Sequence, residues 1–87
     1  MFEIVDSRDE NIISRLVGIL DEEDVTYRRA AVKALGVIGE NAVPWVVEAL
    51  LNSDNVTARG SAAKVLAQIE INYPELRNGF DSGLSLI

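Results

Sequence analysis

Residues 25–38 and 56–69 carry one pattern twice, and this internal repeat restricts the fold more than any other feature of the sequence. A repeat of roughly 20 to 50 residues built from helical segments is typical of a solenoid, in which each unit buries its apolar face against its neighbours. The repeat therefore predicts an all-α fold, a short α-solenoid of antiparallel helix pairs. A shift of 31 positions aligns Val25, Thr26, Arg28, Ala31, Lys33, Leu35 and Ile38 with Val56, Thr57, Arg59, Ala62, Lys64, Leu66 and Ile69.

Side chains that cap helices divide the sequence into four helices and the start of a fifth, the partial helix at residues 79–87. A capping side chain accepts hydrogen bonds from the first N–H groups of a helix, which have no partner within the helix. The helices form a first pair over residues 8–38 and a second pair over residues 41–72, within a single domain of residues 1–87. The predicted caps are, in chain order, Ser7 with Glu10 in a capping box, Asp24, Asn41 and Asn55.

The core is predicted to consist of aliphatic side chains, because hydrophobic residues make up 48% of the chain and aromatic residues only 6%. Helical spacing identifies the residues of each helix that face inward. In the third helix this spacing places Trp45 on the side away from the core. The inward residues predicted for that helix are Val43, Val47, Leu50 and Leu51.

The composition excludes several classes of chemistry. The chain has no Cys and no His, so it lacks thiolate nucleophiles, disulfides, Cys or His ligands for zinc, and imidazole bases. The formal net charge is −6 with only 8 Lys and Arg residues, which argues against a nucleic-acid partner because phosphate binding depends on such cations. The acidic residues 21–24 lack the spacing of a calcium-binding loop, so no metal site is expected.

Neither a leader nor a membrane span is expected. The first ten residues, MFEIVDSRDE, are acidic, whereas a secretory signal begins with basic residues followed by an apolar run. No later apolar run approaches the roughly 20 residues that a membrane span needs. The sequence therefore predicts a soluble, cytoplasmic protein.

Two segments are similar to a known group of repeat proteins. The string DVTYRRAAVKALGVIGENAVP at residues 24–44 and its echo NVTARGSAAKVL at residues 55–66 resemble the HEAT-like repeats of the phycobilisome lyase group. The segment GSAAKVLAQIEINYPE at residues 60–75 is similar to cyanobacterial bilin lyase subunits and to their relatives in phycobilisome degradation. The resemblance covers most of residues 8–87.

The resemblance implies a stack of helix pairs that binds a phycobiliprotein and assists bilin attachment or phycobilisome turnover. It implies no covalently bound cofactor but a phycobilin that is bound transiently, and a partner that is either a phycobiliprotein subunit or a second lyase subunit. The expected place of action is the phycobilisome, on the cytoplasmic side of the thylakoids. Two alternatives stay open: a subunit or fragment of a bilin lyase enzyme, and a general HEAT-like scaffold with no bilin role.

Two arginines recur one repeat apart, Arg28 and Arg59, and each follows an acidic or amide cap. One interpretation is a structural ladder, in which these arginines bond the turn carboxylates of Asp24 and Asp54. The other interpretation is that the two arginines bind the propionates of a bilin, because the planar guanidinium group can form two hydrogen bonds with a carboxylate. The ladder is favoured, since a feature repeated in every unit usually serves the unit itself.

Aromatic and acidic side chains are the candidates for partner binding. An exposed tryptophan is a good anchor for a protein or a flat conjugated ligand, so Trp45 is the first candidate, unless it packs on an adjoining helix. Tyr27, Tyr73 and Glu48 complete this set. No catalytic residue is predicted, because the serines have no histidine to activate them and the glutamates do not converge. Exposed ends of the stack would also allow a homo-oligomer to form.

Overall fold

The computed structural model describes residues 9–76, and in this part of the chain all regular structure is helical. The predicted all-α solenoid of helix pairs is confirmed. Helix α1 spans Glu10–Gly18 and helix α2 spans Val25–Ile38; a short 3-10 helix, Gly39–Ala42, leads into α3 at Val43–Asn52, and α4 spans Val56–Asn72. The predicted partial helix at residues 79–87 lies outside the described residues.

Side-chain caps define the starts of three helices, as expected for N–H groups that lack an intrahelical partner. The Asp24 carboxylate accepts from the N–H groups of Thr26 and Tyr27 at 2.9 and 3.3 Å. The Asn55 side chain accepts from the N–H of Ala58 at 2.9 Å. These two caps, and the bounds of α2 and α4 that follow from them, agree with the sequence-based prediction.

Two predicted caps are wrong. The N-cap of α1 is Asp9, whose carboxylate accepts from Asn11 and Ile12 at 2.9 and 3.3 Å, so the helix starts later than a cap at Ser7 would allow. Asn41 does not cap α3, because it lies inside the 3-10 helix and α3 begins without a side-chain cap. The chain passes directly from the 3-10 turn into α3 through Ala42, in helical backbone geometry.

The turn between the two helix pairs depends on Gly39. Its backbone has a φ of 78° and a ψ of −130°, a conformation that residues with a Cβ rarely adopt. A Cβ at this position would also lie 2.7 Å from the ring of Tyr73. The hydroxyl of Tyr73 donates to the carbonyl oxygen of Val37 in the last turn of α2, so the end of α4 closes over the turn.

The helices form two layers around one aliphatic core. Helix α2 packs along α4 in one layer, α1 and α3 lie in the other, and the contacts between α3 and α4 join the layers within the second pair. Gly36 is the point of closest approach between α2 and α4, since a Cβ there would lie 2.5 Å from Cγ of Gln68. The buried core residues are Ile13, Leu16, Leu20, Ala31, Leu35, Ile38, Ala42, Val46, Ala58, Ala62, Val65 and Ile69.

The inward face of α3 differs from the prediction. Val46 is fully buried and Leu51, predicted to face inward, is 71% exposed. Helical spacing placed Trp45 on the side away from the core, with packing on an adjoining helix as the alternative; the side chain is half-buried and packs against the core, which agrees with the alternative. The helix is apolar on nearly every side, so spacing alone does not identify which side faces the core.

The stretch Val25–Asn52 has the length and mean hydropathy of a membrane span. The structure divides it at Gly39 into the helices of 14 and 10 residues, α2 and α3. A helix that crosses a bilayer needs about 20 residues. Neither helix reaches this length, and both contribute residues to the core.

Candidate functional site

A basic groove of about 300 Å³ lies between α2 and α4. Its lining contains four cations, which are half of the 8 Lys and Arg residues of the chain, and no acidic residue. This concentration is unusual for a protein with a formal net charge of −6. We call this feature the basic groove, and its lining residues are Arg28, Arg29, Val32, Lys33, Ser61, Lys64 and Gln68.

The positive character of the groove follows from the sequences of the two helices. Helix α2 contains no Asp or Glu, and α4 contains only Glu70. Arg29 and Lys33 are four residues apart, so they lie on the same side of α2. Lys64 is the repeat equivalent of Lys33. The pairing of α2 with α4 in one layer therefore brings equivalent cations together across the groove.

Arg28 is held in place by the turn that precedes α2. Its Nη1 donates to the carbonyl oxygen of Glu22 at 2.6 Å, and the side chain is half-buried. This contact corrects the predicted ladder: the Asp24 carboxylate is engaged in capping α2, so Arg28 bonds a backbone carbonyl of the turn instead. A guanidinium has five N–H donors, and a single bond to the turn orients the group at the groove.

The two predicted arginines are separated by the structure. Arg28 lines the basic groove, whereas Arg59 is exposed on α4 and is not part of the lining. Asp54 is exposed in the turn before α4, and the hydrogen bonds of residues 9–76 include none between Arg59 and Asp54. The predicted ladder across the repeats is therefore not formed within this part of the chain.

Buried and bridged polar side chains stiffen the wall of the groove on α4. Ser61 is 3% exposed. Nε2 of Gln68 donates to Oδ1 of Asn72 at 3.0 Å, and Nδ2 of Asn72 donates to the carbonyl oxygen of Gly36 at 3.1 Å. Because this relay joins α4 to the last turn of α2, it fixes the width of one end of the groove.

The other predicted partner-binding residues lie away from the groove. Trp45 and Glu48 belong to α3, in the opposite layer, where Glu48 is exposed and accepts from Nδ2 of Asn52 at 2.7 Å. Tyr27 is 54% exposed in the first turn of α2. Tyr73 is half-buried against Gly39, so its observed role is structural. These four side chains do not form one site.

Arg29, Lys33 and Lys64 were not among the predicted site residues. Lys33 and Lys64 align in the repeat, so the recurrence that drew attention to the arginines was equally present for the lysines. Another signal was the absence of acidic residues from residues 25–38. These two signals predict a binding site only once α2 and α4 are known to be neighbours.

The chemistry that the groove supports is binding of anions. Its cations offer charge-assisted hydrogen bonds to carboxylates, and the aliphatic stems of Lys and Arg with Val32 provide apolar surface beside them. Within residues 9–76 no group of His, Cys, Asp and Glu could hold a metal ion. The groove contains neither an acidic residue nor a histidine that could act as a base.

Comparison with known proteins places the repeat in a recognised family. A family model described as HEAT repeats matches residues 3–78. The chain is 59% identical over 75 residues to the uncharacterized phycocyanin operon protein Z of Pseudanabaena tenuis (strain PCC 7409), a match that covers 86% of this chain and 37% of the relative. No solved structure matches the chain at a significant level.

Two further relatives come from Synechococcus sp. (strain WH8020). The bilin biosynthesis protein CpeZ is 30% identical over 66 residues, which cover 76% of this chain and 36% of the relative. The bilin biosynthesis protein MpeU is 43% identical over 54 residues, which cover 62% of this chain and 18% of the relative. The chain thus spans well under half the length of each of these relatives. The resemblance to HEAT-like proteins of the bilin lyase group is confirmed.

Proposed function

We propose that this chain, which belongs to the HEAT-repeat family, acts as a binding module that assists attachment of a bilin to a phycobiliprotein. The names of the relatives support a role connected with bilins, since two are named for bilin biosynthesis and one for a phycocyanin operon. These names favour attachment over phycobilisome turnover. The proposed place of action is the phycobilisome on the cytoplasmic side of the thylakoids.

The single observation that supports this function in the chain itself is the basic groove between α2 and α4. A bilin is a conjugated linear tetrapyrrole with propionate side chains, so it presents carboxylates next to an apolar surface. The groove presents the complementary arrangement, with cations around aliphatic stems. Charge-assisted hydrogen bonds between such cations and carboxylates are stronger than neutral ones.

The volume of the groove limits what it holds. About 300 Å³ is at the lower end of the range of small-molecule pockets, roughly 300 to 1,000 Å³. This space fits the propionate end of a bilin rather than the whole chromophore. We therefore propose that this chain binds the bilin transiently and only by its propionate end. The remainder of the tetrapyrrole would contact the phycobiliprotein or a second lyase subunit.

Size-exclusion chromatography of this protein with phycocyanin tests the function directly. The mixture is run once with holo-phycocyanin and once with the chromophore-free form plus free bilin, and visible absorbance is recorded across each peak. Co-elution with the chromophore-free form and bilin is the expected result. Co-elution with neither form would contradict the proposed function and leave a general HEAT-like scaffold. Covalent bilin on a cysteine of the acceptor, formed only when this chain is present, would instead establish the lyase alternative.

Substitution of Lys33 and Lys64 by glutamine should weaken binding of the free bilin about 10-fold. An exposed ion pair is worth about 0.2 to 1 kcal/mol, and two losses of about 0.7 kcal/mol each correspond to a factor of about 10. Both side chains are exposed, so the fold should not be affected. The measurement is a titration of bilin absorbance at low salt, where the difference between variant and parent should be largest.

The matched control is the double substitution of Arg15 and Arg59 by glutamine. It changes the net charge by the same amount, but both arginines are exposed and neither lines the groove. This variant should bind bilin nearly as well as the parent protein. Equal weakening in both variants would mean that overall charge governs binding, and the groove would then not be the site.

A further inference from the structure

Two consecutive amide hydrogen bonds lie at one end of the basic groove. Nε2 of Gln68 donates to Oδ1 of Asn72, and Nδ2 of Asn72 donates to the carbonyl oxygen of Gly36. The direction of both bonds follows from the last acceptor, because a backbone carbonyl cannot donate. Asn72 must therefore turn its NH2 group toward Gly36 and its oxygen toward Gln68. Gln68 in turn must offer its own NH2 group to that oxygen.

This arrangement leaves the oxygen of the Gln68 amide available to a ligand. Within residues 9–76 no hydrogen bond ends on Oε1 of Gln68. Gln68 lines the groove, whereas Asn72 does not. Because the oxygen and the NH2 group are the two branches of a planar amide, an NH2 group turned toward Asn72 leaves the oxygen turned toward the groove.

Side-chain acceptors are scarce in the lining of the groove. Its four cations can only donate hydrogen bonds. Ser61, the other lining residue with a side-chain acceptor, is 3% exposed. Gln68 follows Lys64 by one helical turn on α4, which is about 6 Å along the helix axis. The groove therefore combines cations that bind an anion with an acceptor about one turn away.

Gly36 also holds the stem of Gln68 in place. A Cβ at this position would lie 2.5 Å from Cγ of Gln68, so the missing side chain allows Gln68 to lie directly on α2. The stem of Gln68 is packed on Gly36, and its amide is connected through Asn72 to the carbonyl of the same residue. These two constraints restrict a side chain that would otherwise sample several rotamers. The acceptor is therefore preorganised for a ligand.

We infer that Gln68 determines the specificity of the basic groove. Its Oε1 accepts a hydrogen bond from an N–H group of a ligand whose carboxylate is bound by Lys33 and Lys64. The groove therefore prefers a carboxylate that has an N–H about one helical turn away over a carboxylate alone. This inference rests on the proposed binding of a bilin, in which a pyrrole ring carries an N–H on one edge and a propionate on the other.

Two small probes that differ in one group test the role of Gln68. They are β-pyrrolepropionate, which has a carboxylate and an N–H, and its N-methyl derivative, which has the same carboxylate and no N–H. Each is titrated into the protein while the backbone amide shifts are followed by NMR. The parent protein should bind the N–H probe about 5-fold more tightly, as expected for one hydrogen bond.

Gln68→Met removes the acceptor while the side chain keeps nearly the same length and can still pack on Gly36. This variant should bind the N-methyl probe as tightly as the parent protein does. Its preference for the N–H probe should fall below about 2-fold, because a thioether is a weak acceptor. A purely structural role for Gln68 would instead change both affinities together and leave their ratio unchanged.

Asn72→Ala tests whether the relay orients Gln68. Asn72 is exposed and does not line the groove, but without it the Gln68 amide is free to turn. The preference should therefore fall while binding of the N-methyl probe is kept. The matched control is Asn52→Ala, because Nδ2 of Asn52 also donates to a residue four positions away, Glu48, but in α3 and away from the groove. This control should leave the preference unchanged.

The outcomes separate the role of Gln68 from the proposed function. Equal binding of the two probes, with both weakened by substitution of Lys33 and Lys64 by glutamine, would overturn the role of Gln68 and leave the groove as the anion site. A preference that persists in Gln68→Met would also overturn it. If neither probe binds, both proposals fail. If the preference is found but phycocyanin co-elutes in neither form, the proposed function fails and the specificity of the groove is supported.

Discussion

Leu35→Ala should lower the free energy of unfolding by about 2 to 5 kcal/mol, the range measured when a buried leucine is truncated. Leu35 is 0% exposed and belongs to the aliphatic core. A chain of 87 residues buries a modest share of its surface and has a small margin of stability. Urea denaturation at low temperature is the appropriate measurement, because the variant is expected to be partly unfolded when warmed.

Leu66→Ala is the natural comparison, since Leu66 is the repeat equivalent of Leu35. The sequence alone predicts the same loss for both substitutions. The structure predicts a smaller loss for Leu66, because this side chain is half-buried and fewer neighbours surround the space that it leaves. Equal losses would contradict the difference in burial, and no loss at Leu35 would contradict the register of α2.

Gly39→Ala should destabilise the protein by about 2 kcal/mol or more. The backbone conformation of Gly39, with φ 78° and ψ −130°, lies in a region that glycine favours and costs a residue with a Cβ about 1 to 3 kcal/mol. The added methyl group would also lie 2.7 Å from the ring of Tyr73. To relieve this contact the ring must move, which removes its cover from the turn and its hydrogen bond to the carbonyl of Val37. Thermal or urea denaturation measures the total effect.

Gly60→Ala is the control for this substitution and should have the opposite sign. Gly60 lies within α4, is exposed, and has no heavy atom within 4 Å of an added Cβ. Alanine in a helix interior is favoured over glycine by about 0.8 to 1 kcal/mol. A stabilised Gly39→Ala protein would show that the turn between the helix pairs has a different geometry.

Gly39→Ala bears on function because it acts on the turn that joins the two helix pairs. The basic groove lies between α2 and α4, and its width depends on how closely these helices pack. The relay from Gln68 through Asn72 to the carbonyl of Gly36 ends three residues before Gly39. A shift of this turn should therefore weaken anion binding in the groove as well as stability.

The sequence alone was sufficient for the architecture. The 31-residue repeat predicted helix pairs, and the bounds of α2 and α4 follow from local signals. Asp24 and Asn55 cap helices through bonds to residues two or three positions away. Gly39 ends α2 through its own backbone conformation. Interactions of this range are complete within a short segment, so they can be inferred from that segment.

The face that α3 turns inward was decided by the tertiary structure. Val46, Val47, Leu50 and Leu51 are all apolar, and the free energy of burial hardly distinguishes one stripe of this helix from the next. The choice depends on which neighbours the helix meets. The position of Trp45, which the sequence left open between an exposed anchor and packing on an adjoining helix, was decided in the same way, because it depends on which stripe is buried.

The candidate site shows the same division between sequence and structure. The sequence determined which cations are present and that Arg28 and Lys33 recur as Arg59 and Lys64. Only the packing of α2 against α4 decided that Lys33 and Lys64 line one groove with Arg28, while Arg59 does not. Hydrogen bonds within a turn of helix are local and can be read from the sequence. A groove between helices depends on contacts between residues about 30 positions apart, and these exist only once the pairs have stacked.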